Sequence, residues 1–335
     1  MKNKEFLNKI ICGDTLAILP KLEEGSIDVV LTDPPYFLDK LDDKWDSESV
    51  ANKKNQQIIQ SLPAGMKFDR EQGKRFYSWY LSVAKEIFRI LKPGGFFFSF
   101  SSPRLYHRMA CAIDDAGFEM RDVFMWLYTQ NQAKAMGLDH FIRKMDVEKI
   151  KKQEITANLA GWKTPQIKSC FEPIAMAQKP TDETYLNNML QHGVGLLNTN
   201  VRIGHRMYPA NVVTTDTINA VLDRAFLLPK PTKKEKGEYN DHRTVKPLAL
   251  CEYLIQLAAF SKNAIILDPF VGSGTTAVAA KKLGKQYIGI DANKTYTAIA
   301  ERRLREVSSK NTANEFRNDT VRIVPLSFGS IGMQL

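Results

Sequence analysis

Four consecutive residues near the start of the chain have the chemistry to hold a flat polar group. They are Asp33, Pro34, Pro35 and Tyr36. The β-rich run before them, Ile27–Thr32, predicts a buried strand, so the four residues lie where that strand ends. Each proline fixes its own backbone and lacks an N–H group, which makes the corner stiff. The corner could present a carboxylate, a carbonyl and a ring to one ligand, and a rigid turn that merely ends the strand explains it equally well.

A second candidate site is a glycine-containing loop in the last third of the chain. It follows the predicted strand Ala264–Leu267 and precedes a helix predicted from Ala277. Glycine lets the backbone approach a ligand closely, and the N–H groups of a helix N-terminus suit polar or anionic atoms. The loop lacks the Gly-Lys-Ser/Thr ending of a phosphate-binding loop, which disfavours ATP hydrolysis. Its residues are Asp268, Pro269, Phe270, Val271, Gly272, Ser273, Gly274 and Thr275.

Two further acids end predicted strands. Asp291 follows the strand Gln286–Ile290, where an acid binds ribose hydroxyls in doubly wound nucleoside sites. Asp14 follows the strand Ile10–Cys12, where it could accept a hydrogen bond from an adenine amino group or cap the next helix. The glycine loop alone could be only a tight turn, but with Asp291 beyond it a nucleoside cofactor is favoured.

The elements that must position these residues alternate between strand and helix. This alternation predicts an α/β fold with a parallel sheet. It stops near Gln130 and resumes near Thr244. Between the corner and Gln130 the pattern predicts a polar loop over 39–75, a helix over 76–91 that ends at 92–95, a strand over 96–100, a helix over 105–116 and a strand over 120–128.

The middle of the chain, residues 131–240, is polar, irregular and rich in lysine and arginine. The whole chain carries a formal net charge of +10 and has a pI near 9.3. Such an excess of positive charge suggests a polyanionic partner, with nucleic acid ahead of a membrane surface. A solvated basic surface is the alternative interpretation, and the overall charge favours a nucleic-acid contact surface.

The remaining composition excludes several classes of protein. The four cysteines are far apart and form no Cys-x-x-Cys pair, which argues against a zinc ribbon and a disulfide scaffold. The five histidines are scattered singly, so no metal site is predicted. We find no signal peptide and no apolar run long enough to span a bilayer, and therefore expect a cytoplasmic protein with no membrane partner.

Together these motifs resemble the amino-DNA methyltransferases, which transfer a methyl group from S-adenosylmethionine to N6 of adenine or N4 of cytosine. The catalytic tetrapeptide of that family, Asp/Asn/Ser-Pro-Pro-Tyr/Phe/Trp, matches residues 33–36, and its cofactor loop is similar to residues 268–275. The catalytic motif precedes the cofactor loop here, as in the β group of the family. The resemblance covers about residues 1–130 and 240–305.

The resemblance implies a fold and a division of the chain. The fold would be a doubly wound, mostly parallel, Rossmann-like methyltransferase fold that is circularly permuted and carries an inserted target-recognition lobe. The catalytic half would occupy residues 1–130, the lobe 131–240, the cofactor-binding half 241–307 and a C-terminal tail 308–335.

It also implies roles for the site residues. Asp291 would hold the ribose hydroxyls of the cofactor, Asp14 its adenine amino group, and the 268–275 loop with Lys246 its methionine part. Asp33 and the Pro34 carbonyl would accept hydrogen bonds from the target amine, and Tyr36 would stack on a base flipped out of the duplex.

Several alternatives stay open at the level of sequence. Asp at the first position of the tetrapeptide favours adenine, whereas the segment Trp126–Asn131 matches the family's target-base segment only loosely, so N4 of cytosine is the nearest alternative. RNA and protein-glutamine methyltransferases usually carry Asn-Pro-Pro-Tyr after the cofactor loop and are disfavoured. A DNA-binding protein with a vestigial cofactor pocket is the alternative from another class. The expected partner is double-stranded DNA, and the sequence decides neither a homodimer nor a partner restriction endonuclease.

Overall fold

The computed structural model describes residues 3–35, 70–127, 135–164, 170–201, 209, 211–214, 226–227, 231–236, 239–240 and 245–307. Of the predicted corner, Asp33, Pro34 and Pro35 fall within these ranges, and Tyr36 lies outside them. Residues 39–69 of the predicted loop and the tail 308–335 also lie outside the described residues, whereas residues 70–75 of that predicted loop are helical.

Nine strands of the described chain form one sheet. Their order across the sheet is β1-β9-β8-β2-β3-β5-β4-β6-β7. The strands are β1 Lys9–Cys12, β2 Ile27–Thr32, β3 Leu91–Phe100, β4 Glu119–Leu127, β5 Phe171–Gln178, β6 Val212–Thr214, β7 Phe226–Leu227, β8 Ile265–Asp268 and β9 Gln286–Asp291.

The sheet is mostly parallel, as the sequence predicts. β5 runs antiparallel to both of its neighbours, β3 and β4, and every other neighbouring pair is parallel. The parallel strands β1, β9, β8 and β2 lie side by side, with Cys12 opposite Asp291 and Val30 opposite Leu267. Their carboxyl ends therefore meet at one edge of the sheet, which is where open α/β sheets bind their ligands.

The helices fall between these strands in the chain. They are α1 Thr15–Ile18 with a 3₁₀ turn at Leu19–Lys21, α2 Arg70–Ile90, α3 Tyr106–Asp115, α4 Asp139–Arg143, α5 Lys149–Asn158, α6 Tyr185–His192, α7 Lys233–Lys236, α8 Leu248–Ala258, α9 Thr275–Lys282 and α10 Lys294–Glu306. None of these described helices has the length and apolar composition needed to cross a membrane.

Helices cover both faces of the sheet, so the fold is doubly wound. Val29 and Leu31 of β2 and Phe98 of β3 face a core formed with α8 and α9. Val30 and Phe97, which point to the other face because side chains alternate along a strand, face a core formed with α2 and α3. Burial on both faces explains why residues 29–31 of β2 and 96–98 of β3 are consecutive apolar residues rather than alternating ones.

Residues 171–178 correct one expectation from the sequence. They fall within the predicted lobe 131–240, yet they form β5, which is inserted between β3 and β4 in the central sheet. Phe100 pairs with Ile174, and Trp126 pairs with Glu172. The strand could not be predicted from local pattern, because the segments on either side of it are irregular. Its partner strands, β3 and β4, also lie far away in the chain. A second difference is small: β3 already begins at Leu91, so the predicted helix-ending residues 92–95 belong to the strand.

Candidate active site

The corner and the glycine loop meet at the carboxyl edge of the sheet. Thr32, the last residue of β2, donates a hydrogen bond from its hydroxyl to Asp268 Oδ1 at 2.7 Å, and these residues are 236 positions apart in the chain. Thr15 at the start of α1 donates its hydroxyl to the Pro269 carbonyl at 2.6 Å. The two motifs that the sequence analysis singled out thus lie beside each other because β2 and β8 are neighbours in the sheet.

Asp33 is half-buried at the end of β2 and has a cation beside it. The Lys246 ammonium forms an ion pair with Asp33 Oδ2 and lies 3.3 Å from Glu172 Oε2. The same ammonium is 5.1 Å from the ring centroid of Phe100, at the end of β3. The resemblance put Lys246 near the cofactor loop, whereas the structure places it against the corner. Residues 171–174 fall where the β group of the family has a comparable segment, but the resemblance gave no role to Glu172 itself.

The two carboxylates decide the protonation of the lysine. Burial by itself lowers the pKa of the Lys246 ammonium, but the charges of Asp33 and Glu172 and their hydrogen bonds outweigh burial. The pKa of Lys246 is therefore raised above its ordinary value, and the side chain is a cation at any physiological pH.

Asp268 is a buried acid directly beside this cluster. Burial raises the pKa of Asp268 to about 7, and the negative charge of Asp33 adds to the rise. Hydrogen bonds from the hydroxyls of Thr32 and Thr276 and from the Phe270 N–H act in the opposite direction because they favour the charged form. The Asp268 carboxyl consequently titrates near neutral pH.

The glycine loop has a backbone that other residues adopt only under strain. Gly272 has φ +50° and Gly274 has φ +86°. A Cβ atom on Gly274 would lie 2.7 Å from Ala300 Cβ and 3.0 Å from Ala300 Cα, so the loop packs against α10 at that point. Arg303 of α10, which the sequence analysis did not single out, donates from Nη1 to the Ser273 carbonyl at 2.8 Å and to Thr275 Oγ1 at 3.0 Å. The loop is thus fixed from behind.

Asp291 connects the end of β9 to the loop. Its Oδ2 accepts a hydrogen bond from the Gly272 N–H at 2.9 Å, and its Oδ1 accepts one from the Asn293 N–H at 2.8 Å. Burial raises the pKa of Asp291, against these two N–H donors. Each carboxylate oxygen has a second lone pair, so hydroxyl groups of a ligand can still donate to it.

Asp14 and Phe270 have local packing roles that the structure shows directly. Asp14 is exposed and caps α1, with Oδ1 accepting from the Ala17 N–H at 3.1 Å, which was one of the two interpretations from the sequence. The ring of Phe270 lies 5.4 Å from that of Trp79 on α2. Phe270 therefore attaches the loop to the helix that covers β2 and β3.

A comparison with protein families decides which family this site belongs to. A family described as DNA methylase, with N6 and N4 specificities, matches residues 27–302, which is well over half of the chain. The chain belongs to this DNA methylase family. The type II methyltransferase M.HindIII of Haemophilus influenzae is 29% identical to this DNA methylase over 316 residues, covering 89% of the chain and 96% of the relative. The type II methyltransferase M2.DpnII of Streptococcus pneumoniae is 27% identical over 319 residues, covering 93% and 96%.

Solved structures agree with this DNA methylase in fold. TTHA0409 of Thermus thermophilus, a proposed DNA modification methylase, superposes with a TM-score of 0.52 at 20% identity and covers 89% of this chain and 95% of its own. The cytosine-N4-specific PvuII DNA methyltransferase superposes with the same TM-score at 17% identity, covering 90% and 89%. The methyl donor of this DNA methylase is S-adenosylmethionine.

Proposed function

We propose that this DNA methylase transfers the methyl group of S-adenosylmethionine to the exocyclic N6 of adenine in double-stranded DNA. The observation that carries the proposal is the hydrogen bond between Thr32 and Asp268. It fixes the Asp-Pro-Pro corner beside the glycine loop, so one edge of the sheet would offer both an acceptor for an amine and a binding loop for a nucleoside cofactor.

The described residues have the chemistry that the cofactor needs. Asp291 is a carboxylate that suits ribose hydroxyls, and Asp14 is exposed at the neighbouring strand end, where it suits the adenine amino group. The loop from Asp268 to Thr275, with the N–H groups at the start of α9, suits the methionine part. Lys246 was expected there as well, and its ion pair with Asp33 favours a role at the corner instead. When bound, the cofactor supplies a methyl group on a positively charged sulfur.

The corner would act by holding the target amine. An exocyclic amine is a poor nucleophile because its lone pair is delocalised into the ring. Asp33 and the Pro34 carbonyl would accept its two hydrogens, so that the nitrogen becomes pyramidal and directs its lone pair at the methyl group. Placement of the two reactants then supplies much of the rate acceleration. As the nitrogen takes up the methyl group it would give up one proton, which the Asp33 carboxylate could accept.

The base must leave the duplex to reach this corner, and flipping costs a few kcal/mol. Tyr36, which lies outside the described residues, would stack on the flipped ring. Residues 139–164 of the proposed lobe would contact DNA phosphates. The helix α5 within them buries none of its residues and carries exposed lysines at 149 and 151, and Trp162 nearby is 71% exposed. An exposed basic helix is typical of a phosphate contact.

We also propose that the fold is circularly permuted and that the chain divides at residues 130, 240 and 307. The supporting observation is the sheet order: β2, which carries the catalytic corner, precedes β8 and β9 in the chain but lies directly beside β8 in the sheet. The proposed lobe then consists of the two parts of 131–240 on either side of β5, because β5 itself belongs to the sheet.

A biological setting follows from this activity. The named relatives are type II methyltransferases, so the matching partner would be a restriction endonuclease for the same target. We infer that the protein acts in the cytoplasm of a bacterial or phage-infected cell. The sequence left the oligomeric state open, with a homodimer as one expectation.

The experiment is methylation of unmethylated double-stranded bacterial DNA by the purified protein. Nucleoside digests analysed by liquid chromatography and mass spectrometry should contain N6-methyladenine, because Asp at the first position of the corner favours adenine. Detection of N4-methylcytosine alone would contradict the choice of base and establish the cytosine alternative. Sequencing that detects methylated bases would then give the target.

A further inference from the structure

A lysine and two carboxylates form an ion cluster at the catalytic corner. Asp33 follows β2, Glu172 is the second residue of β5, and Lys246 precedes α8, so three elements meet at this point. The side chain of Lys246 is 9% exposed, that of Asp33 20% and that of Glu172 23%. The Phe100 ring lies beside the ammonium and keeps water from one side of it. Charges interact more strongly in such a partly dehydrated place than in bulk water.

The number of charges in this cluster matters for the proposed reaction. With all three groups ionised, two carboxylates and one ammonium leave one net negative charge. During transfer, the amine nitrogen that Asp33 would hold gains positive charge as it accepts the methyl group. A corner with a net negative charge stabilises that nitrogen, whereas a neutral pair of Asp33 and Lys246 would stabilise it less.

We propose that Lys246 and Glu172 are positioning residues that set the orientation of Asp33 and the net charge of the corner. Lys246 fixes Asp33 Oδ2, and Glu172 offsets the charge of the lysine so that the corner stays net negative. This inference rests on the proposed function, because it requires that Asp33 accepts hydrogens from the target amine.

Other titratable groups face the cluster from the neighbouring elements. They are Asp268 at the end of β8, Tyr80 on α2 and Cys251 on α8, each of which interacts electrostatically with Asp33 or Lys246. Burial raises the pKa of Tyr80 and of Cys251, so both stay neutral between pH 6 and 9. Asp268 titrates near pH 7, and each variant must therefore be compared with the wild type across the whole pH range.

The test uses Lys246→Met, Glu172→Gln and the double variant. Without the lysine, Asp33 and Glu172 are two adjacent carboxylates, and like charges favour protonation of one of them. We expect Lys246→Met to lose about 100-fold in kcat at pH 7 and to recover part of it as the pH rises. The double variant removes the second carboxylate, so it should be faster than Lys246→Met at pH 7.

Glu172→Gln tests the same claim in a protein that keeps its lysine. We expect kcat to fall about tenfold while the Kd for S-adenosylmethionine stays within about twofold. If thermal unfolding shows that Lys246→Met does not fold, Glu172→Gln alone tests the proposal.

The ion pair of Lys282 and Glu252 provides matched controls. Lys282 Nζ lies 3.1 Å from Oε1 of Glu252, whose side chain is 8% exposed, so a lysine again meets a buried carboxylate, here between α9 and α8. Lys282→Met and Glu252→Gln should change thermal stability and leave the pH dependence of kcat as in the wild type.

The outcomes separate the two proposals. An unchanged pH profile in Lys246→Met, a double variant that loses the product of the two single losses, or an unchanged kcat in Glu172→Gln would overturn the cluster proposal. A wild type that methylates no DNA, or an Asp33→Ala variant as active as the wild type, would instead overturn the proposed function.

Discussion

At the scale of single residues, the site depends on a few side chains whose burial gives them unusual properties. Asp268 is the clearest case, because burial raises the pKa of its carboxyl to about 7 although hydrogen bonds favour the charged form. Gly274 is another, since no side chain fits between the loop and Ala300. Each residue leads to a prediction that can be measured without DNA.

Replacement of Asp268 by asparagine should remove a pH dependence of stability. The pKa of Asp268 is about 7 when folded and near 3.9 when unfolded, so the folded state binds more protons between these values. The contribution of Asp268 to the free energy of unfolding is therefore fully present below pH 4. It decreases by roughly 2–4 kcal/mol as the pH rises to 7. Urea unfolding at pH 5 and pH 7.5 should show this fall in the wild type relative to Asp268→Asn. An equal difference between the two proteins at both pH values would contradict the assignment.

Gly274→Ala should weaken both the fold and cofactor binding. The new Cβ would contact the backbone of α10, and φ +86° is strained for alanine, so we expect a loss of about 1–3 kcal/mol in the free energy of unfolding. Calorimetric titration should show weaker S-adenosylmethionine binding. Gly284→Ala is the control, because Gly284 also has a positive φ, +67°, but has open space around its Cβ. If both variants bind the cofactor equally well, the close approach at Gly274 has no role in binding.

At the scale of elements, the site exists because four parallel strands end together. The sequence predicted β2, β3, β8 and β9 and the helices between them, since long apolar runs and helical spacing are local signals. The corner and the loop could also be predicted, because each is a contiguous motif at the end of a strand. β5 and the pairing of Lys246 with Asp33 and Glu172 could not, because both require segments far apart in sequence to meet.

The exposed helix α5 should carry part of the affinity for DNA. The double variant with Lys149→Ala and Lys151→Ala lacks two exposed cations. Each lysine that neutralises a DNA phosphate releases about one counterion and so adds about one unit to the slope of the salt dependence. We expect the slope of log Kd against log salt concentration to decrease by about 2 in fluorescence anisotropy. Lys262→Ala is the control, since Lys262 is exposed before β8, at the edge of the sheet opposite to the corner. Equal slopes in all variants would remove α5 from the DNA interface.

At the scale of the whole molecule, the net positive charge of the chain is consistent with its membership of a DNA methylase family. A chain with a net charge of +10 that belongs to a DNA methylase family has the electrostatic excess expected for binding a polyanion. The type II methyltransferases named above match almost the full length of this chain, including the region between the two motifs. The composition could suggest the partner but not the target, because sequence readout depends on contacts between individual side chains and base edges rather than on net charge.

The most direct measurement of the central claim is methyl transfer by Asp33→Ala. The wild type and the variant would receive the same double-stranded DNA and S-adenosylmethionine with a tritiated methyl group, and cofactor affinity would be measured in parallel by calorimetry. Because we propose that Asp33 holds the target amine rather than the cofactor, we expect the variant to keep its cofactor affinity within about threefold and to lose at least about 100-fold in transfer rate. Transfer at the wild-type rate would contradict the account.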